Sequence, residues 1–127
     1  MIRTLIAATL PAVLIVGAAA LFLWAMPVRA AECAGTIGKA SFYAEAHHGK
    51  TMANGRPFNM HAMTAASNSL PLGAKARVTY GKKSVVVTIS DTGGFGKYGR
   101  IIDLSRGAFA KLAHTDKGVI RVCVERL

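Results

Sequence analysis

Two carboxylates separated by a run of glycines are the residues of this sequence best suited to chemistry. In TISDTGGFGKYGRIIDLSR, residues 88–106, a β-branched run ends at Asp91. A turn carrying Gly93, Gly94, Gly96 and Gly99 follows, and a second apolar stretch then delivers Asp103. The chain holds six Asp and Glu against sixteen Lys and Arg, for a formal net charge of +10. Two of so few acids beside so many glycines read as a site, because glycine lets the backbone turn sharply and lets a bulky ligand come close. Taken singly, Asp91 also suits a turn and Asp103 a helix cap just ahead of Leu104-Ser105. Together they suit the cleavage of a glycosidic bond, where a carboxyl raised in pKa by burial protonates the leaving oxygen. Ordinary hydrolysis also needs a second carboxyl as nucleophile or base. When a hydroxyl of the sugar itself attacks, no water need be activated, and one aspartate can act as acid and then as base.

Other chemistries find less support. Adjacent residues on a strand face opposite ways, so His47 and His48 cannot both ligate one metal from a regular strand. His61 and His114 lack a partner at a metal-ligand spacing, and neither a metal site nor a cofactor is expected. No serine sits in a nucleophile elbow, and GGFGKYG is not a phosphate-binding loop. Cys33 and Cys123 lie near the two ends of the chain beyond the leader. In an oxidising compartment they read as a disulfide closing a loop of about 90 residues, worth ~4 kcal/mol in the chain-entropy model.

The elements that must position the aspartates are short. Gly38–Tyr43 reads as a strand with Ala40, Phe42 and Ala44 on one face. A polar segment, Glu45–Arg56, carries the turn pair Asn54-Gly55, and Met63–Ala66 is a short apolar piece. Ala76–Tyr80 and Ser84–Ile89 make a hairpin across Gly81-Lys82-Lys83. Ser105–Leu112 has helical spacing with Ser105 as its cap, and Val119–Glu125 alternates as a final strand. Many short strands and one short helix predict a small, mostly β barrel.

Leu5–Met26 is an almost unbroken apolar run after Arg3, followed by Pro27-Val28-Arg29-Ala30. That is a secretory signal pattern with Val28-x-Ala30 as the cleavage site. It is also close to the roughly 20 residues that span a bilayer, so an uncleaved anchor stays open. The expected division is a leader over 1–30 and a working domain over 31–127, secreted or periplasmic, or anchored and facing outward. After the leader, fourteen Lys and Arg face all six acids. This balance attracts polyanions, and outside the membrane acidic wall polymers or anionic lipid are the candidates. The basic residues are scattered with no aromatic ladder, which argues against nucleic acid. Membrane contact is expected only through the N-terminal segment.

From Gly38 onward the chain resembles the rare lipoprotein A family of double-psi β-barrel domains. The matching pieces are GKASFYA (38–44), HGKTMANGRPFNM (48–60), TAASNSLPLG (64–73), RVTY (77–80), KSVVVTISD (83–91) and GRIIDLSRGAF (99–109). The resemblance implies a six-stranded double-psi barrel and a lytic transglycosylase acting on peptidoglycan glycan strands, especially those stripped of stem peptides, to leave 1,6-anhydromuramyl ends. The aspartate that opens the family's DRGPF is Asp91 here. The family's glutamate after the Asn-Gly turn is replaced by Arg56, and the histidine closing TAAH by Ser67. Arg56 beside Asp91 would hold that carboxylate ionised. The DTGG stretch also resembles the membrane-bound lytic transglycosylase A class, whose catalytic aspartate lies in an Ile-Asp-Leu context like Ile102-Asp103-Leu104; expansins place an aspartate similarly. The resemblance thus implies Asp103 as acid and base with Asp91 in support, and Tyr43, Arg56, Asn59, Ser67, Phe95 and Arg100 as substrate contacts. The other expectation is a non-catalytic, expansin-like wall-binding module, and a third is a tethered interaction domain with no glycan site.

Overall fold

The computed structural model describes residues 32–43, 45–93, 96 and 99–127. The expectations placed on the leader, on Ala44 and on Phe95 lie outside these residues. No helix among the described residues is long and apolar enough to cross a membrane.

Alternating β-branched residues make the strands. β1 spans Thr36–Tyr43, β2 Thr64–Ala66, β3 Lys75–Tyr80, β4 Lys83–Asp91, β5 Arg100–Ser105 and β6 Ile120–Arg126. Ala76 and Val78 of β3, Val85, Val87 and Ile89 of β4, and Ile120, Val122 and Val124 of β6 all point inward. Next to them Lys75, Arg77, Ser84, Val86 and Arg121 face out, as period two requires. The strands close into a barrel in the order β1-β5-β2-β4-β3-β6. β1 runs parallel to β5 and β2 parallel to β4, while the remaining pairs are antiparallel. The parallel neighbours are not consecutive in the chain, so β1 connects to β2 across β5 and β2 connects to β3 across β4. Closure leaves no open edge.

Ala40, Ala65, Ala76, Val78, Val87, Ile89, Ile102 and Leu104 fill the interior. One helix, α1 (Arg106–Leu112), covers it with Ala108, Phe109 and Leu112. The Phe109 ring lies 4.7 Å from Phe42, so Phe42 belongs to this packing. Ser105 caps α1: its Oγ accepts from the Ala108 N–H at 3.1 Å and donates to the Ala62 carbonyl. Ser105→Ala leaves both partners unmet in a buried place and should lower stability by about 1–3 kcal/mol. A urea midpoint moved down at unchanged slope would show it.

The structure adjusts three local expectations. β1 begins at Thr36 because Thr36 and Ile37 pair with Val124 and Cys123 of β6. The hairpin loop is the two residues Gly81-Lys82, since Lys83 already pairs with Tyr80. Gly81 has φ +59°, the left-handed conformation that a two-residue hairpin loop demands. Asp103 caps nothing, for it sits inside β5 and Ser105 takes the cap. Cys33 and Cys123 are joined, with Cα atoms 5.8 Å apart at a sequence separation of 90.

Candidate functional site

Four adjacent strands set the site. The register places Ser41 of β1 opposite Asp103 of β5, Asp103 opposite Ala66 of β2, and Ala66 opposite Asp91 of β4. One row thus forms, Ser41–Asp103–Ala66–Asp91, whose adjacent members are 25 to 62 apart in sequence. With strands about 4.8 Å apart, the two aspartate backbones stand about 9–10 Å from each other. A register irregularity between Ala65 and Ala66 brings Ala66 level with Asp91. Such an irregularity re-aims a side chain. The small Ala66 leaves the floor open between the acids. Above it lies a cleft of about 320 Å³, lined by Tyr43, His47, Ala66, Asp91, Thr92, Gly93, Arg100 and Asp103.

The two carboxylates are held differently. Asp91 Oδ1 accepts the backbone N–H groups of Ala53 and Thr92, each at 2.9 Å. It therefore fastens the 49–58 ribbon to the end of β4. That ribbon is closed by hydrogen bonds from Gly49 N to Phe58 O at 2.8 Å and from Met52 N to Arg56 O at 2.8 Å. The segment after Asp91 is clamped too: Asn68 Nδ2 donates to the Gly93 carbonyl and Gly93 N donates to Asn68 Oδ1. Asp103 Oδ1 accepts a side-chain bond from Ser41 Oγ at 3.0 Å. Arg100 Nη1 donates to the same Ser41 Oγ at 2.9 Å. Burial pushes the Asp103 carboxyl above its ordinary value; Ser41, Arg100 and His47 pull the other way, and Asp91 adds a smaller upward push. Burial prevails, which suits a group that must carry a proton.

Tyr43 completes the wall. Alternation along β1 sends Ala40 and Phe42 to the core and Ser41 and Tyr43 to the cleft. The Tyr43 ring stacks on Phe58 at 4.3 Å and meets the His47 ring edge-on at 5.7 Å. Its hydroxyl is buried and finds no hydrogen-bond partner among the described residues. Burial first, then the charges of Asp91 and Asp103, raise its pKa well above the usual phenol, so the proton stays on.

Of the residues singled out from sequence, Tyr43, Asp91, Arg100 and Asp103 meet in this cleft. Arg56 is exposed near the tip of the 49–58 ribbon and forms no ion pair with Asp91. Asn59 is exposed, and its Oδ1 accepts from His61 N at 2.9 Å. Ser67 is buried, and its Oγ accepts from Ser69 N and Leu70 N, so it shapes the turn after β2. Ser41 and His47 escaped sequence reading as site residues. The signal for Ser41 was available: a hydroxyl on the face of β1 opposite Ala40 and Phe42. His47 gave none, because only folding brings its short 3-10 turn, Glu45–His47, to the cleft.

A closed six-stranded barrel with two parallel pairs and crossing connections is a double-psi β-barrel, here with an acidic cleft across four strands. Residues 36–124 match the family model described as lytic transglycolase, and the chain belongs to that family. It is 41% identical over 101 residues to the endolytic peptidoglycan transglycosylase RlpA of Pseudomonas aeruginosa, covering 78% of this chain and 29% of that protein. It is 46% identical over 90 residues to an uncharacterised protein of Synechocystis, covering 69% of this chain and 94% of the relative. Among solved structures, the Streptomyces papain inhibitor superposes with a TM-score of 0.61 at 26% identity, covering 76% and 97% of the two chains. The apo form of Clavibacter michiganensis expansin superposes with a TM-score of 0.59 at 26% identity, covering 72% and 50%.

Proposed function

We propose that residues 31–127 form an exported domain that cleaves peptidoglycan glycan strands as a lytic transglycosylase, with Asp103 as its acid and base. The observation that carries this reading is the half-buried Asp103 carboxyl, pushed toward its protonated form inside a cleft it shares with Asp91. The family membership and the name of the Pseudomonas relative support the substrate class.

The chemistry follows from that one group. Protonated Asp103 gives its proton to the oxygen that leaves muramyl C1, and the C1–O bond breaks. The carboxylate left behind takes the proton of the muramyl C6 hydroxyl as that oxygen bonds to C1. The products are a free 4-hydroxyl on one side and a 1,6-anhydro ring on the other, with Asp103 reprotonated and no water consumed. The Asp91 carboxyl, fixed by two backbone N–H groups, would favour the positive charge that develops at C1. Ser41 and Arg100 orient Asp103 through the chain Arg100 to Ser41 to Asp103.

Export rests on the leader pattern and on the Cys33–Cys123 disulfide, which belongs to an oxidising compartment. A mature protein beginning at Ala31, found by intact mass, supports cleavage; one retaining Met1–Ala30 supports an anchor. The activity is tested by incubating the protein with peptide-free glycan strands and reading products by mass spectrometry. Anhydromuramyl ends are the expected product. In Asp91→Asn the Oδ1 acceptor for Ala53 and Thr92 remains while the charge is gone. Activity should fall less than in Asp103→Asn, and the fold should hold.

The second reading, a non-catalytic wall-binding module, is favoured by one observation. Ser67, at the family's histidine position, is committed to its own turn and offers nothing to the cleft. Sacculus binding without any product would select it.

A further inference from the structure

The least explained atom of the cleft is the Tyr43 hydroxyl. A buried donor without an acceptor loses its bonds to water and receives nothing in return. Few such groups persist, and each calls for a reason. The ring does not supply one, since phenylalanine would stack on Phe58 and pack against His47 equally well. The hydroxyl is covered in this conformation, so a sugar reaches it only after the wall opens, whereas two carboxylates already act on it electrostatically.

Those carboxylates are unequal as acceptors. Asp91 is pinned through Oδ1 by two backbone N–H groups, on Ala53 and Thr92, and cannot pivot without releasing the ribbon. Among the described residues, Asp103 is held through Oδ1 by one rotatable hydroxyl, that of Ser41. Its charge also changes during the proposed reaction, from neutral acid to carboxylate and back. A phenol that keeps its proton is a poor partner for a neutral carboxyl already served by Ser41. It is a good partner for the anion, because hydrogen bonds to ionised groups are roughly twice as strong.

We infer that Tyr43 is a positioning residue for Asp103: its hydroxyl is held unpaired while Asp103 is protonated and donates to the carboxylate once the proton has left. The inference rests on Asp103 being the acid of the proposed reaction, but its test needs no turnover. The groups facing Asp103 are Ser41 and Tyr43 of β1, Arg100 on its own strand, His47 of the 3-10 turn and Asp91 of β4. All but Asp91 favour the anion on this reading, and Tyr43 is the one whose contribution appears only with the charge.

The experiment follows the Asp103 carboxyl carbon by NMR across pH in the unliganded protein, in wild type, Tyr43→Phe and Ser41→Ala. Loss of a donor to the anion should move the Asp103 titration upward in Tyr43→Phe by about one pH unit. Ser41→Ala should also move it upward and serves as the positive control. Below the titration, where the hydroxyl is an unmet donor, Tyr43→Phe should melt no lower than wild type. A purely structural tyrosine would melt lower at every pH. An Asp103 titration unmoved or lowered in Tyr43→Phe while Ser41→Ala shifts overturns the inference. If wild type makes no anhydromuramyl product but the titrations behave as stated, the transglycosylase reading fails and the coupling of Tyr43 to Asp103 stands.

Discussion

Asp103→Asn should abolish nearly all release of anhydromuramyl ends while leaving the barrel folded and as stable as before, or more so, at neutral pH. The loss expected is roughly 10²–10⁴-fold, the usual contribution of a positioned general acid and base. The amide keeps an oxygen for Ser41 Oγ, which now donates at 3.0 Å, so the site's shape persists. What is lost is the proton that can leave and return. The stability effect has a definite sign. The folded pKa of Asp103 lies above its ordinary 3.8 because burial penalises the anion. Below about pH 3.8 both folded and unfolded chains carry the proton and the penalty is absent. As pH rises through 3.8 and then through the raised folded value, the unfolded state ionises first and the fold progressively loses stability. Asparagine escapes that loss. Thermal melts of the two proteins should therefore converge in acid and separate toward neutrality, with the variant higher. A variant that melts lower at pH 7 would mean that the ionised carboxylate is a net support of the fold, the opposite of the expected sign.

The second large effect concerns the link between Cys33 and Cys123. Opening a 90-residue loop frees the unfolded chain, at a cost to stability of about 4 kcal/mol in the chain-entropy model. In a domain of under 100 residues, where the core alone is marginal, this is a large share of the total. The double variant Cys33→Ser, Cys123→Ser should melt roughly 15–30 °C lower than the oxidised wild type. Reduced wild type should follow the variant. Equal melting of oxidised and reduced protein would show that the β1–β6 ladder holds the chain ends without the crosslink. Catalysis measured well below either midpoint should be unchanged, because the disulfide lies outside the cleft residues.

Much of the fold was legible because barrel strands advertise themselves. Val78, Val85, Val87, Ile89, Val122 and Val124 alternate with residues that face out, and period two is a local property of the chain. Ser105 announced the helix start for the same reason, since a cap acts within three residues. The cysteine pair was legible from compartment and count. The site was legible in part. Asp91 and Asp103 drew attention through their rarity and their glycine-rich surroundings. Arg56, Asn59 and Ser67 came from motif positions, and position in a motif does not say which way a side chain turns. Arg56 faces solvent, Asn59 serves His61, and Ser67 serves Ser69 and Leu70.

Alone, then, the amino-acid sequence determined four of the six strands, the helix and its cap and the pairing of the two cysteines, and it singled out Asp91 and Asp103. Each depends on residues that act locally or on chemistry that needs no geometry. Only the tertiary structure decided that Asp103 and Asp91 flank Ala66, that Ser41 stands beside Asp103, and that Tyr43 carries a covered hydroxyl with no partner among the described residues. Those facts come from pairing between strands that are not consecutive in the chain, parallel for β1–β5 and β2–β4 and antiparallel for β2–β5. Parallel register is set by how the whole barrel closes around its core, so no short stretch of chain encodes it.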